Sequence, residues 1–412
     1  MTGIPRQSAN VVHGFAVADG SLCVGDMPLS RLAAEIGSTP FFAYDRRLLN
    51  ARVNWLRQCL PPEIHLSYAV KANPMPDVLQ HLAGIVDGFD LASGGELKTA
   101  LDTPMSPERI SFAGPGKRRN ELSQAIAAGV TINMESETEL ETIVALGDEL
   151  GITPQVAVRI NPDFELRASG MRMGGGSKPF GIDSERVPQI LQRIGDTGLD
   201  FLGFQIFTGS QNLNAETIHE GQARTIELAL ELATHAPSAV RVLNIGGGFG
   251  IPYFPGDLPL DLQAVGDGLA KLVPRVHERL PEARVVVELG RFIVGEAGIY
   301  VCRVVDRKVS RGHIFLVTDG GLHHHLAASG NFGQVVRRNF PIAIEGRVDQ
   351  SNSETVSVVG CLCTPLDLLA DKIELPRADV GDLVVIFQSG AYGLTASPTA
   401  FLSHPQPVEV LV

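Results

Sequence analysis

The chain lacks the features that mark secreted, membrane-spanning and metal-clip proteins. It has only five cysteines in 412 residues, and they lack CxxC spacing. We therefore expect neither a disulfide framework nor a bound metal, and a reducing cytoplasm fits best. No apolar run reaches the length of a membrane span. The opening residues, MTGIPRQSANVVHGF, have no apolar segment behind a basic one, so we expect no secretory signal.

Charged residues are also scarce, at 19%, and acidic residues outnumber basic ones by 46 to 34, which gives a net charge of -12. Such a chain repels phosphate backbones, so we expect no nucleic-acid partner. Hydrophobic residues make up 44% of the chain, which is enough for a sizeable core. The length suits one barrel with a smaller second domain.

Short apolar, β-branched runs alternate with helix-like segments through the middle of the chain. This alternation predicts parallel pairing, because a crossover helix returns the chain to the same edge of the sheet. Eight such strands favour a closed (β/α)8 TIM barrel, although an open doubly wound sheet fits the local pattern almost as well. The strand candidates are residues 64–70, 88–92, 109–114, 130–135, 155–161, 201–207, 241–247 and 284–290.

After about residue 300 the strand-like segments follow one another without long helices between them. This pattern predicts a C-terminal antiparallel β domain. The early segment FAVADGSLCVG is strand-like as well. We therefore predict N-terminal strands and a helix at 1–37 that join the β domain, the barrel at 38–300, and the β domain at 301–412.

Unusual polar residues fall where the barrel strands end, which is where such barrels carry their chemistry. Lys71 ends an apolar strand, so its amine is expected to be partly desolvated and nucleophilic, although most lysines are simply exposed. Glu288 lies in an apolar strand and needs a partner. That partner is either a cation inside the barrel or the protonated ring nitrogen of a cofactor. Similar positions hold Asp90, Arg159, Asn161 and Ser210.

Glycines and an arginine follow the last two strands. Gly246, Gly247 and Gly248 could form only a flexible loop, but bare backbone N–H groups without side chains also make an anion cradle. The loops after the seventh and eighth strands are the usual phosphate site of such barrels. Arg291, just past the eighth strand, could add a charge-assisted contact.

Several motifs occur together, in order, from about residue 28 to the C-terminus, and they resemble those of the fold-type III pyridoxal-phosphate decarboxylases. This group includes the diaminopimelate, ornithine and arginine decarboxylases, and its fold is that of alanine racemase. The motifs are Tyr-Ala-Val-Lys-Ala-Asn at 68–73, Asp-Leu-Ala-Ser-Gly-Gly-Glu-Leu at 90–97, Gly-Ser-Gln at 209–211, Gly-Gly-Gly-Phe-Gly at 246–250, Glu-Leu-Gly-Arg at 288–291, Cys363, and Gly-Ala-Tyr-Gly at 390–393.

The resemblance implies a role for each matching residue. Lys71 would carry pyridoxal 5'-phosphate as a Schiff base, and Glu288 would pair with the ring nitrogen. Loss of carbon dioxide would leave a quinonoid, which Cys363 would protonate from the neighbouring subunit of a homodimer with shared active sites. The other cofactor-binding residues implied are Asp90, Arg159, Phe207, Ser210, Gly246, Gly247, Gly248, Gly290, Arg291 and Tyr392.

The chain departs from diaminopimelate decarboxylases at the positions that bind the far end of their substrate. Thr364 replaces a glutamate, and Ala327 and Asn331 replace an arginine and a tyrosine. A site for a distal zwitterion should not lose all three groups, because the substrate's charges would be left unpaired. Phe207 replaces the histidine that stacks on the cofactor, which keeps a ring face but no polar nitrogen.

Residues 203–211 and 397–405 resemble a side branch that includes exosortase-associated decarboxylases and enzymes acting on amino acids tethered to acyl-carrier proteins. We therefore predict decarboxylation of an L-amino acid or an aminoacyl group, possibly bound to a carrier protein. The predicted substrate-binding residues are Thr364, Asp367, His323 and Tyr392.

Three alternatives stay open: diaminopimelate decarboxylase of lysine biosynthesis, an amino-acid racemase, and a non-catalytic pyridoxal-phosphate carrier. Cys363 within the matching segment 360–367 favours decarboxylation over racemisation, and the C-terminal strands speak against the carrier protein. The run of three histidines at 323–325 is not expected to bind a metal, because consecutive residues of a strand alternate faces.

Overall fold

The protein is described by a computed structural model that covers residues 10–18, 20–165, 171–172 and 174–412. Residues 1–9 and 19 of the predicted N-terminal region therefore lie outside the described residues. The chain divides into two compact units. The barrel unit comprises Ala51–Pro252 and Leu258–Ile293, and the β unit comprises the residues up to Asn50, Tyr253–Asp257 and Val294–Val412. Among the described residues, no helix is both long and apolar enough to cross a membrane.

The barrel unit contains a closed ring of eight parallel strands, which confirms the predicted barrel over the open sheet. Neighbouring strands pair in chain order, and the fourth pairs with the fifth through Val156 and Ile132 to complete the ring. The strands are β1 (Ile64–Ala69), β2 (Gly88–Leu91), β3 (Ile110–Phe112), β4 (Thr131–Met134), β5 (Gln155–Asn161), β6 (Asp200–Ile206), β7 (Val242–Gly247) and β8 (Arg284–Leu289).

Helices connect these strands, and local sequence sets where several of them begin and end. Ser93 and Ser136 accept a hydrogen bond from the third residue of the helix that each precedes, and Gly129 and Gly151 end helices in the left-handed conformation. The connecting helices are α1 (Pro76–Leu82), α2 (Gly94–Leu101), α3 (Arg119–Ala128), α4 (Glu137–Leu150), α5 (Val187–Thr197), α6 (Ala215–Leu232) and α7 (Leu262–Arg279). The helices Arg46–Cys59 and Arg291–Val294 flank the barrel sequence.

The β unit is built on a mixed sheet. Most of its pairs are antiparallel, as predicted, but His313–Thr318 runs parallel to Ser353–Val359, and Val408–Leu411 runs parallel to Phe41–Tyr44. Parallel neighbours need a long connection, and both pairs are joined by long stretches of chain. The remaining strands of this sheet are Gly298–Ser310, Ile342–Ile344, Leu368–Pro376 and Leu383–Ile386.

The N-terminal segment packs into the β unit. Its strands Asn10–Val12, Phe15–Ala18, Ser21–Val24 and Met27–Pro28 form a small antiparallel sheet, and the helix Leu29–Ile36 follows. Phe15, Leu22 and Leu29 share one apolar core with Phe41 and Ile299.

The boundaries between the two units lie at residues 50 and 294, whereas the sequence pattern predicts boundaries at residues 37 and 300. Phe41–Tyr44 pairs with the start of Gly298–Ser310, and this pairing holds both segments in the β sheet. Tyr253–Asp257 also belongs to this unit. The ring of Tyr253 lies 5.2 Å from that of Phe340, and Arg338 Nη2 is 2.9 Å from Asp257 Oδ1. Contacts between distant segments therefore set the boundaries.

Candidate active site

Lys71 stands at the carboxyl end of β1, on a short 3-10 turn, Val70–Ala72. Its Nζ lies 3.4 Å from Glu288 Oε1 and 3.6 Å from Asp90 Oδ2. The lysine side chain is 42% exposed, whereas both carboxylates are buried. Barrel closure places β1 between β8 and β2, so an amine from one strand meets acids from both neighbours.

Glu288 is held in the barrel interior by two amide side chains. Its Oε2 accepts hydrogen bonds from Gln205 Nε2 at 2.9 Å and Asn244 Nδ2 at 3.3 Å. Burial alone would raise the pKa of Glu288, but the Lys71 ammonium and hydrogen bonding by Asp90 outweigh burial and hold this pKa below its usual value. Glu288 therefore stays ionised and can accept a hydrogen bond from a donor such as a pyridinium N–H.

The pKa of Asp90 shifts in the direction opposite to that of Glu288. Burial and the adjacent negative charge of Glu288 raise its pKa well above the usual value, although Lys71 opposes the shift. Ser111 Oγ donates to Asp90 Oδ1 at 2.9 Å. Neighbouring buried carboxyl groups oppose each other's ionisation, so Asp90 is the one of the two that is protonated more readily.

Arg159 forms an ion pair with Glu135, a carboxylate that the sequence analysis did not single out. Its Nη1 lies 2.7 Å from Glu135 Oε1, and its guanidinium lies 5.2 Å from the centre of the Phe180 ring. Glu135 also accepts hydrogen bonds from the backbone N–H groups of Gly114 and Gly181. The available signal was an acid in the predicted strand 130–135, just as Glu288 lies in the predicted strand 284–290.

Gln205, Asn244 and Ser111 were missed as well. Each is a polar residue inside an otherwise apolar strand, and Gln205 and Asn244 are at most 5% exposed. In a barrel, alternate residues of a strand point inward. Polar residues at these positions were therefore a readable sign of a hydrogen-bonded network around Glu288.

The loops after β6 and β7 interlock. Asn212 N–H donates to Gly248 O at 3.0 Å, and Gly250 N–H donates to Asn212 O at 2.8 Å. Gly248 has a φ of +71°, and a Cβ at this position would lie 2.1 Å from Gly209 O. Only glycine fits here, because any side chain would collide with the neighbouring backbone.

Ser210 completes this cradle. Its hydroxyl oxygen is buried and has no hydrogen-bond partner among the described residues, which is costly unless a ligand supplies one. Gly246 and Gly248 both adopt positive φ in the adjoining loop, and Arg291 begins the short helix after β8. An unpartnered hydroxyl beside a glycine loop fits a phosphate group, and the assignment of these residues to pyridoxal phosphate stays a prediction.

Two more cofactor candidates, Phe207 and Gly290, also lie in the barrel unit. Phe207 follows β6, and its ring limits the space at Gly246, where a Cβ would lie 2.9 Å from the ring. Gly290 packs against the end of β1 and the turn after it, since a Cβ there would lie 3.4 Å from that of Ala69 and 2.9 Å from that of Ala72. The structure thus gathers the predicted barrel residues around one strand-end region.

The other predicted site residues belong to the β unit. Cys363 is exposed and Thr364 is half-buried. Tyr392 has a φ of +52°, a conformation that costs energy for a residue other than glycine and often marks a functional position. His323 is fully buried.

Both carboxylate oxygens of Asp367 accept hydrogen bonds from backbone N–H groups. Its Oδ1 accepts from Leu322 N–H at 2.6 Å, and its Oδ2 accepts from Leu362 N–H at 2.8 Å. The carboxylate is also buried, and burial raises its pKa. Asp367 therefore fixes the backbone next to Cys363, and the substrate contact predicted for it stays a prediction.

Comparison with known proteins shows the family to which the chain belongs. Residues 46–295 match the family model "Pyridoxal-dependent decarboxylase, pyridoxal binding domain". The L-glutamyl-(BtrI acyl-carrier protein) decarboxylase of Niallia circulans is 36% identical over 90% of this chain and 88% of that protein. The diaminopimelate decarboxylase of Aquifex aeolicus is 29% identical over 96% of this chain and 91% of that protein.

Solved structures give the same answer. The diaminopimelate decarboxylase of Helicobacter pylori complexed with L-lysine is 25% identical, with a TM-score of 0.82 over 93% of this chain and 94% of that chain. The chain therefore belongs to the pyridoxal-phosphate-dependent amino-acid decarboxylases.

Proposed function

We propose that this enzyme decarboxylates an aminoacyl group attached to an acyl-carrier protein, with Lys71 as the residue that binds the cofactor. The observation that carries the assignment of Lys71 is its amine at 3.4 Å from the buried, ionised Glu288. When bound, pyridoxal phosphate supplies an aldehyde for amines and a ring that withdraws electrons from the substrate's α-carbon.

Different barrel residues bind different parts of the cofactor. Ser210, the glycine loop 246–248 and Arg291 take the phosphate, and Glu288 holds a proton on the ring nitrogen. Gln205 and Asn244 keep the carboxylate of Glu288 in place through their hydrogen bonds. Phe207 offers a ring face for stacking.

Cys363 is proposed to hold the proton that replaces the departing carbon dioxide. It is exposed on the β unit, and Asp367 anchors its segment through two backbone N–H groups. A thiol is a suitable general acid when it is positioned at the reacting carbon. A racemase would not need this residue.

The choice of substrate rests on side chains that could not bind a distal ammonium and carboxylate. Thr364 carries no charge. Asn331 Nδ2 is already committed to Ser329 Oγ at 2.8 Å and to Leu366 O at 3.2 Å. His323 has no exposed surface. The sequence likeness to a decarboxylase named for a carrier-bound glutamyl group favours the same class of substrate.

We also propose a homodimer in which Cys363 serves the active site of the partner subunit. In the β unit, Val335 is fully exposed, and Val336 and Leu366 are mostly exposed. Apolar exposure of this kind is typical of a surface that another chain covers. Mixing inactive Lys71→Ala with inactive Cys363→Ala enzyme should restore activity, to about one quarter of the wild-type value for random exchange of subunits. No recovery after proven subunit exchange would contradict shared sites.

The substrate is tested by carbon dioxide release. Free amino acids, including meso-diaminopimelate and glutamate, are compared with the matching aminoacyl thioesters on pantetheine and on a carrier protein. We expect kcat/KM for the best thioester to exceed that of its free acid by at least about 100-fold, because binding energy from the carrier arm is used at the reacting centre.

The control for the lysine is Lys98, an exposed residue of α2. Lys71→Ala should abolish activity, and Lys98→Ala should not change it. Rapid turnover of free meso-diaminopimelate would instead establish the alternative function in lysine biosynthesis. Full activity of Lys71→Ala would refute the assignment of the cofactor-binding residue.

A further inference from the structure

Three consecutive histidines in the β unit are buried, and two of them have partners for both ring nitrogens. His324 contacts Tyr300 OH at 3.2 Å and Pro405 O at 3.0 Å. His325 contacts Ser389 Oγ at 2.9 Å and accepts from Ala328 N–H at 3.3 Å. These two side chains are therefore satisfied as parts of the core.

His323 differs from its neighbours. It is 0% exposed, and neither ring nitrogen has a hydrogen-bond partner in the described part of the chain. A buried polar group without a partner is rare in folded proteins and calls for an explanation.

Two further metal-binding side chains face His323. The His404 ring centre is 5.0 Å from that of His323, and Cys361 Sγ is 3.8 Å from His404 Nε2. One donor atom from each of the three residues lies within 4.8 Å of the other two. Ligand atoms of a tetrahedral zinc ion, with one sulfur and nitrogen ligands, stand about 3.4–3.6 Å apart. Only a small contraction separates the observed cluster from that geometry.

We propose that His323, Cys361 and His404 form a binding site for a transition-metal ion, with Zn²⁺ as the ion that best fits two imidazoles and a thiolate. The fourth position is left to water or another small ligand. The zinc ion binds the lone pairs of both imidazoles, and the proton of the Cys361 thiol leaves to solvent as the thiolate binds.

The surroundings suit such an ion. Asp367 is bonded to the N–H groups of Leu322 and Leu362, each adjacent to a proposed ligand, and its carboxylate offsets the charge of the ion. His324 is hydrogen-bonded to Pro405 O, which fixes the residue after His404. Outer contacts of this kind orient metal ligands.

The three ligands come from separate segments of the β unit. His323 lies in the turns after Thr318, Cys361 in the loop after Val359, and His404 directly after the 3-10 turn Phe401–Ser403. A metal bound here would tie these segments together. Cys361 is two residues from Cys363, so the ion would hold the loop that carries the proposed proton donor.

The test uses tag-free enzyme loaded with pyridoxal phosphate, cleared of metals with a chelator and dialysed against Zn²⁺. We expect one Zn²⁺ per chain by atomic emission. X-ray absorption should find one sulfur ligand at about 2.3 Å and two imidazole nitrogens at about 2.0–2.1 Å from zinc.

Cys361→Ser and His404→Asn each remove one half-buried ligand. Both should weaken Zn²⁺ binding by at least about 100-fold, since even changes outside the ligand shell cost 10–100-fold. Cys59→Ser and His235→Asn remove the same donor types in the barrel unit and should bind Zn²⁺ like the wild type. Cofactor content and circular dichroism show that each variant has folded.

The readout is metal content and ligand type, so the result is independent of the substrate assignment. Binding well below one equivalent would overturn the proposal. So would an absorption spectrum without a sulfur ligand, or Zn²⁺ affinity in both folded ligand variants equal to that of the wild type.

Discussion

Arg159→Met is expected to destabilise the barrel by about 3 kcal/mol, because it leaves Glu135 as a buried charge without its cation. The two side chains are 11% and 2% exposed and lie 2.7 Å apart. Removing one partner of a buried ion pair costs about 3–5 kcal/mol. Backbone N–H groups of Gly114 and Gly181 still donate to Glu135, which places the loss at the lower end of this range.

A double-mutant cycle separates the charge from the packing. Glu135→Gln removes the charge but keeps the shape, and Arg159→Met/Glu135→Gln removes both charges. The double variant should be more stable than Arg159→Met by about 1–2 kcal/mol, because no unpaired charge is left in the core.

The assay uses the single tryptophan of the chain as a reporter of the barrel. Trp55 stacks on Phe292 at 5.9 Å, and both belong to the barrel unit. Its fluorescence in a urea titration follows unfolding of that unit without a contribution from the β unit. A loss below about 1 kcal/mol for Arg159→Met, within the usual range of surface changes, would refute the reasoning. A double variant no more stable than Arg159→Met would also refute it.

Three further predictions concern the cofactor, the β unit and the reaction. Ser210→Ala should weaken pyridoxal-phosphate binding about 10- to 100-fold, the worth of a hydrogen bond to a charged group, measured as cofactor loss on dialysis; unchanged retention would remove Ser210 from the phosphate site. Burial lowers the pKa of His325 to about 3, and its unfolded value is about 6.5. The unfolded chain therefore binds more protons between these values, and stability should fall by up to about 1.4 kcal/mol per pH unit as pH drops from 6.5 towards 3. Denaturant titrations of wild type and His325→Gln at several pH values check this slope, which should be smaller in the variant by the contribution of His325. Cys363→Ala should lower product formation at least about 100-fold, the typical contribution of a general acid, whereas Cys59→Ala should not; equal rates in the two variants would count against the proposed proton donor.

The sequence by itself determined the barrel and its principal chemistry. Strand and helix periodicities are local, so the eight strands and the longer helices could be predicted from short windows. Parallel strands end on one side of a closed barrel, which is why Lys71, Asp90 and Glu288 could be assigned to one place before any coordinates. The glycines at 246–248 could be assigned to the same side of the barrel for the same reason.

The tertiary structure decided what depends on contacts between distant segments. The pairing of Arg159 with Glu135, and of Glu288 with Gln205 and Asn244, depends on which side chains share one layer of the barrel. The two parallel pairs in the β unit and its boundaries depend on strand neighbours that no local pattern specifies. His323 meets Cys361 and His404 because three segments that are distant in sequence come together, which no local pattern specifies.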